Sequence, residues 1–118
     1  MSPEQLDLAR RLVACDQWRW VDGMLYGYIS CDLYHSHSTR YRPCDAMDVS
    51  LWPNLSDYAT AAILLVMVCE SIKGEVSATL TRGWWWLGSY DGHSIDEQRH
   101  KDLGTAAARA LLAIWEAP

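Results

Sequence analysis

The sequence predicts an α+β fold, an antiparallel sheet of about four to five strands packed with three helices in the order α-β-β-(loop)-α-β-β-(β)-α. Three observations carry this. A long apolar segment with marked ends, SDYATAAILLVMVCESIKG, occupies residues 56–74. Two stretches near the termini repeat apolar residues at three-and-four spacing, the mark of one helix face. Alternating runs broken at Asp22-Gly23, Arg82-Gly83 and Asp91-Gly92 read as strands joined by tight turns. Helices and hairpins of this kind bury their apolar sides against each other in layers.

The first helix spans roughly residues 3–15. Ser2 is its N-cap, Pro3 takes the first helical position, and Gln5 is placed to close a capping box. Leu6, Ala9, Leu12 and Val13 fall on one face, and Arg10 and Arg11 suit the C-terminal end of the macrodipole. Residues 17–29, QWRWVDGMLYGYI, alternate and break at Asp22-Gly23, which predicts a hairpin with Trp18, Trp20, Met24, Tyr26 and Tyr28 on one face. Residues 30–54 have no sustained period and contain two prolines, so they read as a long loop or insertion with one short strand near 46–51.

The middle helix starts at Ser56 or Asp57, and Gly74 is expected to supply the left-handed stop after Lys73. Ala59, Ala62, Ile63, Val66, Met67 and Glu70 recur on one face, with Leu64, Leu65 and Val68 on the other sides. A helix apolar all round is expected to be covered all round, with the other layers arranged about it. Its unbroken apolar run, 61–69, is well short of the roughly 20 residues of a membrane span.

Val76, Ala78 and Leu80 then alternate with Ser77, Thr79 and Thr81 as a half-buried strand, turned by Arg82-Gly83 into WWWLGSY. Trp84, Trp86 and Tyr90 point one way and Trp85, Leu87 and Ser89 the other. Asp91-Gly92 leads to a weak third strand around 93–96, and Leu103, Ala107, Ala110, Leu111 and Ile114 form the buried stripe of a last helix over about 102–116.

The chain of 118 residues is the size of one domain, 1–118. Half of it is hydrophobic and 21% charged, which argues against disorder, and the net charge of −5 disfavours non-specific binding to nucleic acid. The opening MSPEQLDLARR lacks a basic-then-apolar leader, so a cytoplasmic protein with four free cysteines is expected.

The segments PEQLDLARR, CDQWRW followed by GM, WPNLSDYATAAILLVMV and the alanine-rich end closing on EAP resemble an uncharacterised family of small phage and prophage proteins. In that family the middle element is of the type LPDLTDPATLGCLLALV. The likeness covers residues 3–24, 51–73 and 103–118, and the order of elements is similar to a phage sandwich domain with helix, sheet and helix layers. The resemblance implies a phage or mobile-element origin and transfers no functional residue. Between residues 30 and 50 the chain departs from the pattern.

Two candidate sites follow. Cys31, His35, His37 and Cys44 fall in one short segment, CDLYHSHSTRYRPC, and are the ligand types of tetrahedral zinc, although C-x3-H-x-H-x6-C is not a finger spacing. The second is aromatic. Seven tryptophans, three of them consecutive, exceed what a core of this size needs. One face of their strand is expected in the core and the other either covered by a helix or exposed as a protein-binding surface; for the latter Trp84, Trp85, Trp86 and Tyr90, with Arg82, Tyr41 and Arg42, are the partner-binding residues, because Trp, Tyr and Arg are favoured anchors of protein interfaces. A Cys–His nucleophile pair drawn from Cys31 or Cys44 with His35, His37, His93 or His100 is the basis for a small hydrolase. Asp91, Asp96, Glu97 and Asp102 read as turn and capping residues.

No phosphate loop, serine elbow or HExxH helix is present. The expectation is therefore a non-catalytic phage accessory protein that binds a host or phage protein, such as an inhibitor of a CRISPR defence complex. A homodimer is compatible with it; a membrane or nucleic-acid role is not expected. A zinc-stabilised module using the 31–44 loop and a small hydrolase are the alternatives.

Overall fold

The computed structural model describes residues 1–31, 33–48, 50–89 and 98–117, and in these every side chain but those of His37, Ser89 and Gln98. The fold is α+β. Its elements run α1 (Pro3–Ala14), β1 (Leu25–Ser30), β2 (Leu33–Arg40), β3 (Leu51–Pro53), α2 (Tyr58–Ile72), β4 (Val76–Thr81), β5 (Trp84–Ser89), β6 (Gln98–His100) and α3 (Leu103–Trp115). The strands do not share one sheet. They form two antiparallel sheets of three, ordered β2-β1-β3 and β4-β5-β6.

The capping box on α1 is formed: the Gln5 amide donates to Ser2 Oγ at 3.2 Å and the Ser2 amide to Gln5 Oε1 at 2.8 Å. After α1 the chain departs from the expected hairpin. Residues 18–21 are irregular, and Trp18, Trp20, Tyr26 and Tyr41 gather edge to face or tilted, with ring centroids 5.4 to 6.2 Å apart. Clustered in this way the rings pack on one another rather than alternate along a strand. Asp22-Gly23 does turn the chain, with the Met24 amide donating to the Val21 carbonyl, but of the two only Gly23 has positive φ, +96°.

The partner of β1 is β2, which lies in the segment expected to be a loop. Residues 30–54 thus hold β2 and β3. β2 is an edge strand whose described side chains are exposed except for Tyr34, so its pairing rests on backbone hydrogen bonds and leaves no apolar period in LYHSHSTR. Tyr34 donates to the Trp52 carbonyl at 3.3 Å, tying β2 across β1 to β3, and burial raises its phenol pKa.

α2 is capped by Asp57, whose carboxylate accepts from the Thr60 amide and hydroxyl at 3.0 and 2.8 Å and pairs with Arg40 at 2.6 and 3.0 Å. The Arg40 bond holds the Asp57 carboxyl below its usual range, with help from Thr60 and against the pull of burial. The left-handed stop falls on Lys73 (φ 54°, ψ 43°), one residue before the glycine expected to supply it.

The middle helix is not the centre of the core. Thr60, Ala61, Leu64, Met67, Val68 and Ile72 are buried, whereas Tyr58 is 71% and Val66 54% exposed. The expectation of cover on every side is corrected, and so is the assumed face: Ala59, Ala62, Val66 and Glu70 form the outer stripe. The covered rod is α3, in which nine consecutive positions but one, from Leu103 to Leu111, are buried and Leu112 with them. Alanine explains the exchange. Ala106, Ala107, Ala108 and Ala110, all at 0% exposure, let α1, α2, β5 and β6 approach one helix together. No helix among the described residues is long and apolar enough to cross a membrane.

The helices run in one direction. Gln5 meets Asp102 and Thr105 at one end, while at the other Arg11 pairs with Glu116 and Trp115 Nε1 donates to Ser71 Oγ at 3.0 Å.

The β4–β5 turn is closed by Arg82 and Gly83, with φ of 53° and 80°, flanked by the pair Thr81 and Trp84. Positive φ at both central residues fits a type I′ turn, which favours Asn-Gly; arginine carries a Cβ penalty there. Arg82→Asn is expected to stabilise the chain by about 1 kcal/mol, read as a rise of a few degrees in Tm. An unchanged or lower Tm would mean the turn is not of this type.

Candidate functional site

The aromatic strand β5 lies between β4 and β6 in an unbroken register: Thr81 faces Trp84, Leu80 faces Trp85, Thr79 faces Trp86 and Ala78 faces Leu87. On its other side His100 faces Trp85 and Arg99 faces Trp86. Directly opposed residues share a face, so the sheet sorts its side chains. Trp85 and Leu87 turn inward, Leu87 at 1% exposure in the core and Trp85 packed against it. Trp84, Trp86 and Arg99 share the outer face.

There the Arg99 guanidinium carbon lies 5.2 Å from the ring centroids of both Trp84 and Trp86, and Lys101 Nζ lies 5.5 Å from that of Trp84. A cation over an indole face is worth about 0.5–1 kcal/mol at an exposed site. Two indoles sharing one guanidinium hold each other's rotamers before any partner arrives. Arg109 steadies the edge by donating to the Arg99 carbonyl at 3.2 Å, and it also pairs with Glu4.

From Ala78 to Thr81 every side chain of β4 is exposed, on both faces, so the hairpin tip projects beyond the helices as an arm. Leu80 is 55% exposed on the inward-turning face. Arg82 sits at the tip and has no ion pair among the described residues.

The other expected residues are placed elsewhere. Tyr41 belongs to the Trp20 cluster at 6.0 Å, and Arg42 closes a turn with Asp45, its amide donating to Asp45 Oδ2 at 3.0 Å. Both follow β2 and are not joined to the tryptophan face. Tyr90 lies outside the described residues, as do His93, Asp91, Asp96, Glu97 and the third turn. Arg99 and Lys101 were missed as site residues because their place depends on the register of β6, which alternation in β5 does not reveal.

The zinc ligands are not brought together. Cys31 sits at the β1–β2 turn with φ 52°, and Cys44 follows the far end of the eight-residue β2. β2 runs opposite the six residues of β1, so at about 3.4 Å per residue its ends lie roughly 17 Å apart, against Zn–S bonds of about 2.3 Å. His35 stacks on Tyr28 at 5.0 Å, and the His37 side chain is outside those described. No three His, Cys, Asp or Glu side chains gather to hold a metal among the described residues.

Nor does a cysteine bond to a histidine there: Cys31 approaches Ser30 Oγ at 4.0 Å, and Cys44 approaches Asp45 at 3.9 Å. His100 Nδ1 accepts from the Asp102 amide at 2.9 Å, and Asp102 caps α3 through the Gly104 amide at 3.0 Å. A groove of about 250 Å³ between α1 and the first sheet is walled by Leu6, Ile29 and Trp52 with the Asp7–Arg10 pair at its rim. No cysteine, serine or histidine lines it.

The chain matches no family model, no curated protein and no solved structure.

Proposed function

We propose that the chain is a non-catalytic phage or mobile-element accessory protein that binds a host or phage protein through the outer face of the β4-β5-β6 sheet. An inhibitor of a host defence system such as a CRISPR complex, working in the host cytoplasm, is the role this reading favours. The observation that carries the binding reading is the Trp84–Arg99–Trp86 stack on a projecting arm. Indoles and guanidinium are the residues that dominate interface energies, and anchors already ordered in the free protein lose little entropy on docking. The phage setting is supported by the likeness of residues 3–24, 51–73 and 103–118 to that group.

Affinity purification from phage-infected host extract tests it, with the wild type beside the Trp84→Ala/Trp86→Ala chain. A partner retained by the wild type should bind the double variant at least about 30-fold more weakly, the loss of one interface anchor of 2 kcal/mol or more. No reproducible partner, or equal binding by both chains, would overturn the assignment.

A further inference from the structure

We propose that two copies of the chain pair antiparallel along β4, about a two-fold axis at Ala78, and so join their three-stranded sheets into one of six. The inference goes beyond the tryptophan face and does not depend on what that face binds.

β4 is the outer strand in the order β4-β5-β6, so one of its edges has no strand beside it among the described residues. Proteins blunt such edges with charge, proline, a bulge or short length. The other edges here are blunted: β2 carries Arg40 and a register shift, while β3 and β6 have three residues each. β4 has none of these devices. VSATLT contains no charge and no proline, and its register against β5 is unbroken over six pairs.

The backbone groups at that edge can be assigned. A two-residue turn closes on a hydrogen-bonded pair, here Thr81 with Trp84, and bonded and non-bonded pairs alternate from it. Thr81, Thr79 and Ser77 therefore bond to β5. The N–H and C=O groups of Val76, Ala78 and Leu80 point to the open edge.

A second copy fits those groups better than an arbitrary strand, because β4 is complementary to itself. A two-fold axis normal to the sheet must pair residues of like face. Centred on Ala78, it sets Ala78 against Ala78 of the second copy, Val76 against Leu80 and Leu80 against Val76. Every outward-pointing residue then meets another, each pair able to exchange two backbone bonds. On one face the opposed side chains are all apolar; on the other Ser77 meets Thr79, hydroxyl to hydroxyl. The same axis places both Trp84–Arg99–Trp86 stacks on one side of the joined sheet.

One strand pair is a small interface between chains of net charge −5, so a weak dimer is expected, with Kd of about 1–100 µM. Sedimentation of the full chain from roughly 5 µM to 1 mM should show the mass doubling. Ala78→Lys sets two like charges face to face at the axis and should weaken the dimer at least about tenfold, as should Ala78→Glu. An equimolar mixture of the two should dimerise again. Since Ala78 is exposed in the single chain, both variants should keep the wild-type circular dichroism and melting curve. Should either fail to fold, Ala78→Pro removes the outward N–H while sparing the β5 ladder, and it should also be monomeric. A wild type that stays monomeric at 1 mM, whether or not a foreign strand later takes the edge, overturns the pairing. So does a dimer that survives Ala78→Lys, or a mixture that stays monomeric.

Discussion

Replacing Gly104 by alanine is expected to lower stability by about 3–5 kcal/mol, a fall in Tm of roughly 12 °C or more for a chain of this length. Gly104 lies in the first turn of α3 and its own amide binds the Asp102 cap. A Cβ there would stand 2.7 Å from the carbonyl carbon of Leu55 and 3.1 Å from its Cα, and closer still to the carbonyl oxygen. The obstacle is backbone, and Leu55 cannot swing away because its side chain is fully buried in the core. Relief requires α3 to move off the segment that leads into α2, which would loosen the alanine-lined contact between the two helices. At an exposed helical site the same change would stabilise by about 1 kcal/mol, since glycine is the poorer helix former. The sign therefore separates the two accounts. Ala113→Gly, at an exposed position of the same helix, should cost only about 1 kcal/mol. A Gly104→Ala chain as stable as the wild type in urea unfolding would refute the close approach of α3 to Leu55.

Gly104 also shows why the centre of this fold was hard to read. Hydropathy singles out ILLVMV in α2, yet how far a helix is covered depends on how closely neighbours can approach, and small side chains decide that. α3 is buried because of glycine and four alanines, residues with little surface of their own to report. Elements held by local chemistry were legible: the Ser2–Gln5 capping box, the Asp57 and Asp102 caps, and the alternation of β4 and β5 about Arg82-Gly83. β2 was not, because an edge strand needs only its backbone to pair, and LYHSHSTR carries no apolar stripe. The division into two sheets was equally hidden, since it depends on β1 pairing forward with β2 and β3 rather than back with 17–21. For the candidate site, period-two alternation separated Trp85 from Trp84 and Trp86 correctly. The cations that organise the outer face come from β6, beyond the reach of a period read in β5. Tyr41 and Arg42 match the tryptophan site by residue type alone, and the fold sets them in the loop after β2.

Gln5→Glu is the second substitution with a large expected effect, about 2–4 kcal/mol at pH 7, and it tests how three parallel helices are joined at their starts. Gln5 is 6% exposed, and its Nε2, with two hydrogens to give, lies within hydrogen-bond reach of Ser56 Oγ at 3.2 Å, Asp102 Oδ2 at 3.0 Å and Thr105 Oγ1 at 3.0 Å. Its Oε1 meanwhile accepts from the Ser2 amide at 2.8 Å, so one carboxamide links the N-termini of α1, α2 and α3. Glutamate keeps the acceptor that closes the capping box and removes only the donor, placing a second carboxylate against Asp102. The helix dipole at that position favours the new charge by up to about 1 kcal/mol, less than the cost of two carboxylates about 3 Å apart and a lost charge-assisted bond. The pH dependence identifies the cause. As pH falls from 7 into the acid range, two carboxylates held this close take up one shared proton more readily than separated ones, which restores a donor and removes the repulsion. Proton uptake then favours the folded chain, and the deficit of Gln5→Glu relative to wild type should shrink with acid. Gln5→Ala loses donor and acceptor together and should be destabilised by a similar amount at both pH values. A Gln5→Glu deficit that is constant or grows with acid in paired urea titrations would show that the carboxamide is not the joint between the helices.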